Sequence, residues 1–314
     1  MKTVVAIGGN ALVSPGGTGD IGDQFSRSRE VVRALADLVE QGWQVTVTHG
    51  NGPQVGNIMR RVELASGEVY RIDLGLAVAD TQAGMGYMIA QTWMNELKRR
   101  GRNAVVVAMV TSCVVDQKDP AYQRPTKPIG PFLSQEKAEH HRERDGWAII
   151  EDSGRGWRRV VPSPRPTRIV EMPILVDMVK KGHLIVAGGG GGIPVIENEK
   201  GEMHGVEAVI DKDFTSAMIA AEVGADTLSL VTAVEHVCIN FGKPTQEALR
   251  NVNIARLNEL IAEKQFPEGS MLPKIRAAID FVVRSERPDA RAVITSLTHL
   301  PAALAGETGT TITR

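Results

Sequence analysis

Three glycine-rich turns, each after a short apolar run, are the first sign of chemistry in this 314-residue sequence. They are Gly8-Gly9-Asn10, Gly50-Asn51-Gly52 and the five glycines 188–192. Glycine has no Cβ to hold an anion away from backbone N–H groups, and a following helix N-terminus adds partial positive charge. One such turn alone would mark only a change of chain direction. Three of them, at the carboxyl ends of parallel strands, predict one shared phosphate site.

Three lysines are candidates for neutralising that phosphate. Lys212 lies between Asp211 and Asp213, directly after an apolar run, and Lys274 lies at the start of a predicted helix. Lys127 stands in a proline-rich stretch that restricts its backbone, although it also suits an exposed loop. Phosphoryl transfer depends mainly on positioning and charge stabilisation, so fixed ammonium groups are the side chains that it needs.

The histidines are weaker candidates. His49 is either locked by backbone hydrogen bonds beneath the second glycine turn or is an acid–base group, and phosphoryl chemistry favours the first interpretation. The next residue but one, Asn51, suits a positive φ. His140 and His141 point apart on a helix and have no third ligand nearby in sequence, so we expect them on the surface rather than at a metal.

The elements that must position these residues alternate between strands and helices, which predicts an α/β fold built from βαβ units. Helical spacing predicts helices at residues 24–41, 55–64, 74–99, 171–181, 215–223 and 275–283. Buried strands are predicted at 4–7, 44–48, 103–115, 184–187, 227–232 and 292–296, with a hairpin at 193–205. Residues 14–23 predict a mobile surface loop, and the proline-rich segment 116–168 predicts an inserted, lid-like subdomain within a single 1–314 domain.

Composition limits the partners. The sequence has 36 Lys and Arg against 37 Asp and Glu, and this net charge of −1 argues against a nucleic-acid-binding surface. Its two cysteines, Cys113 and Cys238, leave no disulfide framework and no cysteine-based zinc site, as expected in a reducing cytoplasm. No signal-peptide pattern and no membrane-spanning apolar run is present. We therefore expect a cytoplasmic protein with a small-molecule partner.

Eight stretches spread over nearly the whole chain carry a family resemblance. They lie at residues 6–11 (AIGGNA), 48–56 (THGNGPQVG), 125–132 (PTKPIGPF), 151–164 (EDSGRGWRRVVPSP), 187–191 (AGGGG), 209–213 (VIDKD), 239–244 (INFGKP) and 269–274 (GSMLPK). With these stretches the sequence resembles the carbamate kinase branch of the amino acid kinase family. The blocks at 125–128 and 155–159 are specific to that branch.

The resemblance implies a three-layer αβα sandwich with a mostly parallel sheet of about eight strands, and a homodimer. Small residues on the predicted helix 74–99 would suit the dimer contact. It also implies reversible phosphoryl transfer between carbamoyl phosphate and ADP, which yields ATP and carbamate. Mg²⁺ would accompany the nucleotide, and no protein metal ligand is implied.

The resemblance also implies roles for individual residues. The catalytic residues would be Lys127, Lys212 and Asp213, with the two lysines flanking the transferred phosphoryl group. The acceptor and phosphoryl end would be lined by Gly8, Gly9, Asn10, Gly50, Asn51 and Gly52. The nucleotide end would involve Gly188, Gly189, Asp211, Phe241, Gly242, Met271 and Lys274.

Two alternatives of different classes stay open. Another phosphotransferase of the same family would act on a larger or related acceptor, and an assay of ATP formation from carbamoyl phosphate separates it. A non-catalytic nucleotide-sensing homologue would be expected to lack the lysines, yet Lys127, Lys212 and Lys274 are all present. A dinucleotide dehydrogenase is disfavoured because the first glycine turn lacks the GxGxxG spacing.

Overall fold

The computed structural model describes residues 1–13, 19–151 and 156–314, together with the backbone but not the side chains of Asn10 and Pro131. Residues 14–18 of the predicted surface loop lie outside the described residues.

The described residues form 17 strands and nine α-helices. The strands are β1 (Lys2–Ile7), β2 (Gln44–His49), β3 (Val106–Ala108), β4 (Ser112–Val115), β5 (Lys127–Leu133), β6 (Ile149–Glu151), β7 (Trp157–Val161), β8 (Pro166–Ile169), β9 (Leu184–Val186), β10 (Ile193–Glu197), β11 (Met203–Gly205), β12 (Thr227–Thr232), β13 (Val237–Ile239), β14 (Glu247–Leu249), β15 (Asn251–Asn253), β16 (Arg291–Ser296) and β17 (Thr310–Thr313). The helices are α1 (Ile21–Glu40), α2 (Gly52–Leu64), α3 (Leu74–Arg99), α4 (Gln135–Asp145), α5 (Met172–Lys180), α6 (Lys212–Glu222), α7 (Ile254–Ala262), α8 (Met271–Arg284) and α9 (Leu300–Leu304).

An eight-stranded sheet in the order β15-β17-β16-β12-β1-β2-β9-β3 forms the centre of the molecule. Its strand pairs are parallel except for β16 with β17. Strands β1, β2, β9 and β12 are almost entirely buried, which explains their continuous runs of β-branched and aliphatic residues. Their carboxyl ends meet at one edge, the edge at which a parallel sheet binds its ligands.

Helices cover both faces of this sheet. On one face α1, α3 and α9 pack around the fully buried Trp93, and on the other α5 to α8 pack around the fully buried Phe281. Helix α3 has the bounds expected from its spacing, ending in a basic turn that suits the helix dipole. The predicted α/β sandwich of three layers is confirmed.

The segment at 116–168 contains its own three-stranded sheet, β5-β7-β6, and the helix α4, and it rests on α2. Backbone contact is close there, because a Cβ on Gly56 would lie 2.7 Å from Gly130. Ile129 and Val161 of this segment are buried in a small apolar cluster with Val55 of α2. The segment is therefore packed against α2 in a defined position. Its motion as a lid stays a prediction.

The single strand expected at 103–115 was wrong. The chain forms β3, which pairs with β9 in the large sheet, and then β4, which pairs with β10 in a separate four-stranded sheet. Between the two strands the backbone N–H of Thr111 donates to Gln82 of α3, and Gln82 donates back to the carbonyl of Thr111. Gln82 thus bonds both backbone groups of Thr111 where the chain passes from one sheet to the other, a contact with a distant helix that the apolar pattern of 103–115 does not reveal.

The surface position expected for His141 was also wrong. Its side chain is buried, stacks on Trp147 with ring centroids 4.2 Å apart, and lies between Glu63 of α2 and Asp145 of α4. His140 points away and is exposed, as expected for a neighbouring helical position. The burial arises from the stacking on Trp147 and from the contact with Glu63, a residue far away in sequence.

Among the described helices, none combines the length and the apolar character that a bilayer crossing requires.

Candidate active site

The first two glycine turns touch each other at the carboxyl ends of β1 and β2. A Cβ on Gly50 would lie 2.7 Å from the backbone nitrogen of Gly9, and a Cβ on Gly9 would lie 3.1 Å from the carbonyl carbon of Gly50. Any side chain at these positions would push the turns apart. Glycine is therefore required for the two loops to lie side by side with their backbones exposed to a common ligand.

A cavity of about 560 Å³ opens above these turns. It brings together most of the predicted site residues: Gly8, Gly9, Gly50, Asn51, Gly52, Lys127, Asp211, Lys212, Asp213 and Lys274. The backbone of Asn10 follows Gly9 in a short 3₁₀ turn. Sequence positions from 8 to 274 therefore converge on one volume, as expected for a single anionic site at the end of a parallel sheet.

A buried carboxylate holds two of the lysines. Asp213 pairs with Lys212 through Oδ1 and accepts a hydrogen bond from Lys274 Nζ, 2.9 Å away, through Oδ2. Although burial opposes the charge, the two ammonium groups keep the pKa of Asp213 well below its usual range. Burial lowers the pKa of Lys212, against the attraction of Asp213 and with the repulsion of Lys274. For Lys274, burial opposes the charge, but the attraction and hydrogen bond of Asp213, together with the attraction of Asp211, raise the pKa.

A second carboxylate holds the third lysine. Lys127 Nζ donates to Asp211 Oδ2 over 2.6 Å, and Asp211 Oδ1 accepts the backbone N–H of Asp213 at 3.1 Å, which caps α6. Lys127 is therefore anchored from β5 to the start of α6. Its side chain is 37% exposed, whereas that of Lys212 is 9% exposed. The two lysines approach the cavity from different structural units.

His49 supports the loop instead of facing the ligand. Its Nδ1 lies 3.1 Å from the carbonyl oxygen of Gly50, and a Cβ on Gly189 would lie 2.6 Å from its Nε2. Burial, helped by the nearby charge of Lys212, lowers the pKa of His49 to about 4 against the pull of the Gly50 carbonyl. The ring is neutral at physiological pH and does not line the cavity. The geometry favours the first of the two interpretations from sequence.

The positive φ expected for Asn51 was wrong, since its φ is −141°. The chain turns into α2 immediately after this residue, so the backbone needs no left-handed conformation. Instead the side chain is used: Asn51 Nδ2 donates to Thr81 Oγ1 of α3 at 2.8 Å.

Several residues expected at the nucleotide end do not line this cavity. Gly188 donates its N–H to Thr111 Oγ1 at 3.0 Å, and Gly189 lies against His49, so Gly190 is the member of the third turn that faces the opening. Met271 begins α8 and packs partly buried against the core. Phe241 is 63% exposed, and the adjacent Gly242 has a φ of +76°. Their nucleotide roles stay predictions.

The cavity also contains residues that sequence reasoning missed. Arg27 of α1 reaches its wall, where it pairs with Glu30, and Leu297 follows the end of β16. Thr232 and Ala233 contribute the end of β12. Nothing in the spacing of α1 distinguishes Arg27 from its exposed polar neighbours. Leu297, Thr232 and Ala233, in contrast, lie at or just after the ends of predicted strands, and that position could have indicated them.

The donor set fits a magnesium ion that is carried by a nucleotide. Within the described residues no group of three or more His, Cys, Asp or Glu side chains is arranged to hold a metal. The two carboxylates of the cavity, Asp211 and Asp213, are already engaged by lysines. Mg²⁺ commonly binds through substrate phosphates and retains several waters, so it needs no dedicated protein cage.

Comparisons with known proteins agree with this geometry. The amino acid kinase family model matches residues 1–296. The carbamate kinase of Thermococcus kodakarensis is 46% identical over 317 aligned positions, covering 100% of this chain and 99% of the relative. The carbamate kinase-like protein YahI of Escherichia coli is 44% identical and covers 98% of both chains. The structure of a Giardia lamblia carbamate kinase bound to AMP-PNP superimposes with a TM-score of 0.91 at 35% identity, covering 99% of this chain and 98% of that one. This chain belongs to the amino acid kinase family.

Proposed function

We propose that the protein is a carbamate kinase, which transfers a phosphoryl group between carbamoyl phosphate and ADP to give ATP and carbamate. One observation carries the choice of acceptor: the 46% identity with a carbamate kinase extends over the whole chain. The cavity supports the reaction type, because its lysines and glycine turns match the needs of phosphoryl transfer. The reaction is reversible in this proposal, and its direction in the cell follows the supply of substrates.

The charges that line the cavity suit a phosphoryl group in transfer. Four cationic side chains (Arg27, Lys127, Lys212 and Lys274) face two anionic ones (Asp211 and Asp213). Charge builds up on the equatorial oxygens in the transition state, and ammonium groups that are already fixed stabilise it without reorganisation. Lys212 is the best fixed of these, since it is buried and paired with Asp213. We assign it the largest role in the rate.

The acceptor would lie over the first two glycine turns. Carbamate has only four heavy atoms, so backbone N–H groups of Gly8, Gly9 and Gly52 would suffice to hold it, whereas that of Gly50 already donates to the carbonyl oxygen of Ile7. Lys127 would contact the carbamoyl end, and Lys274 the nucleotide phosphates. A bound Mg²⁺ would neutralise charge on those phosphates. The proposal includes a homodimer, with the exposed face of α3 as its contact, and a cytoplasmic location.

The test is ATP formation from carbamoyl phosphate and ADP by the purified protein, with and without Mg²⁺. Lys212→Met serves as the control for a contaminating kinase. We expect rapid Mg²⁺-dependent synthesis by the natural protein and almost none by the variant. Faster phosphorylation of acetylglutamate or uridine monophosphate from ATP would move the chain to another branch of the family. Nucleotide binding without any transfer would identify a nucleotide sensor.

A further inference from the structure

The amide of Asn51 is held in one orientation from beneath the cavity. Its Nδ2 donates to Thr81 Oγ1 at 2.8 Å, and both residues are buried. Gly190 closes the other side, because a Cβ at that position would overlap the amide of Asn51. The amide therefore lies between α3 and the third glycine turn, with no room to swing away.

Hydrogen counting decides which end of the amide meets Thr81. A threonine hydroxyl has one proton, and Thr81 Oγ1 donates it to the carbonyl oxygen of Val78 at 2.7 Å. A carbonyl can only accept, so the proton of Thr81 is committed there. The hydroxyl can then only accept from Asn51, which requires the NH₂ group of the amide on that side. The reversed amide would place two acceptor oxygens in contact.

The remaining end of the amide is its acceptor oxygen. Asn51 Oδ1 has no hydrogen-bond partner among the described residues, yet unlike Gln54 Oε1 it is not sealed from solvent. Asn51 lines the cavity beside Gly50 and Gly52. Asn51 Oδ1 is thus an amide acceptor that no described residue engages, whereas the two carboxylates of the cavity, on Asp211 and Asp213, are already paired with lysines.

We propose that Asn51 Oδ1 accepts a hydrogen bond from the NH₂ group of the carbamoyl moiety, and that Thr81 is the positioning residue that enforces this orientation. The inference rests on the proposed function and adds the means by which an amino group is selected. An acceptor oxygen pairs with N–H and repels a carboxylate oxygen, so Asn51 orients carbamate by its NH₂ group and leaves the carboxylate oxygens for phosphoryl transfer. A substrate with a methyl group there would leave Oδ1 without a partner.

Acetyl phosphate provides the matched probe, since it differs from carbamoyl phosphate in having CH₃ in place of NH₂. The measurement is kcat/KM for ATP formation from each donor with ADP. The natural protein should strongly prefer carbamoyl phosphate. In Thr81→Val, which keeps the side-chain shape but removes the acceptor for Asn51, this preference should fall about tenfold. The kcat/KM for carbamoyl phosphate should fall, whereas the kcat/KM for acetyl phosphate should change little.

Two further variants separate positioning from damage to the helix. Thr81→Ser keeps the hydroxyl and should restore the natural preference. Thr92→Val makes the same change on α3, where the buried hydroxyl also donates to a carbonyl of its own helix, that of Met88 at 2.8 Å. Thr92 does not line the cavity, so this control should leave the donor preference unchanged.

An unchanged donor preference in folded Thr81→Val would overturn the inference and leave the proposed function intact. An equal loss with both donors would overturn it too, because it would indicate general damage to the site. If the natural protein makes no ATP from carbamoyl phosphate, the proposed function fails, and the inference fails with it.

Discussion

The two lysines that we propose to flank the phosphoryl group are held in different ways. Lys212 begins α6, is almost fully buried, and shares the carboxylate of Asp213 with Lys274. Lys127 begins β5 on the inserted segment, is 37% exposed, and reaches a single carboxylate, Asp211. One position is fixed by the core of the sandwich and the other by the docking of a smaller unit.

This difference indicates whether each lysine mainly stabilises the transition state or also contributes to substrate binding. A buried ammonium with a fixed partner is already oriented before substrate arrives, so it can stabilise the transition state more than the ground state. A partly exposed ammonium on a smaller unit depends on the docking of that unit for its position, and part of its interaction energy is used in that ordering. We therefore expect Lys212 to act on kcat, and Lys127 to act on substrate binding as well.

The largest expected effect is at the buried position. Lys212→Met should lower kcat by on the order of 10² to 10³-fold, with a smaller change in nucleotide KM, because a fixed charge at the transferred group is lost. Steady-state kinetics of ATP formation measure it, and Lys200→Met, which alters an exposed lysine of the β10–β11 turn, is the control. A kcat equal to that of the natural protein would refute the mechanism.

The second effect concerns His49, which is buried beneath the second glycine turn and is neutral in the folded protein. Its folded pKa of about 4 lies below the unfolded value, so its contribution to stability is complete above pH 6.5 and is lost as pH falls towards 4. Between pH 6.5 and 5, His49→Gln should reduce the fall in unfolding free energy by roughly 1–2 kcal/mol. Urea titrations at several pH values measure this slope, and His204→Gln, which removes an exposed histidine, is the matched control. The same slope in His49→Gln and the natural protein would contradict a buried neutral ring.

The third effect concerns Lys127, the partly exposed lysine of the segment 116–168. Lys127→Ala should raise the KM for carbamoyl phosphate about tenfold while it also lowers kcat, since a charged contact to the carbamoyl end is removed. The same kinetic assay decides, with Lys118→Ala as a control on an exposed lysine of the same segment. A pure kcat effect, identical to that of Lys212→Met, would show that the two lysines do not differ in the way proposed.

The smallest effect concerns the segment that carries Lys127. We predict that it closes as a lid, and that a bisubstrate analogue slows amide exchange in β5 and β7 by on the order of a few-fold. Hydrogen-exchange mass spectrometry measures this, with the β10–β11 hairpin as the internal reference. Identical exchange in β5 and β7 with and without ligands would contradict a lid.

Local pattern predicted much of the fold. The bounds of α3 and the strands β2, β9 and β12 follow from spacing and apolar runs, because helix and strand periodicities differ and each is complete within a few turns of chain. The prediction failed for β3 and β4, where one apolar run feeds two sheets. It also failed for the burial of His141. Both errors concern a contact made by a distant element, Gln82 of α3 in one case and Glu63 of α2 in the other.

The sequence by itself determined the chemical inventory: glycine turns at strand ends, three lysines, two flanking carboxylates, and no cysteine or histidine cluster that would bind a metal. These features follow from residue type and local sequence, since phosphate binding needs accessible backbone N–H groups and positive charge. Tertiary structure alone decided the pairing. Lys127 meets Asp211 across 84 positions, Lys274 meets Asp213 across 61, and Asn51 meets Thr81 across 30. Such contacts depend on how whole helices pack on the sheet, which no local spacing encodes.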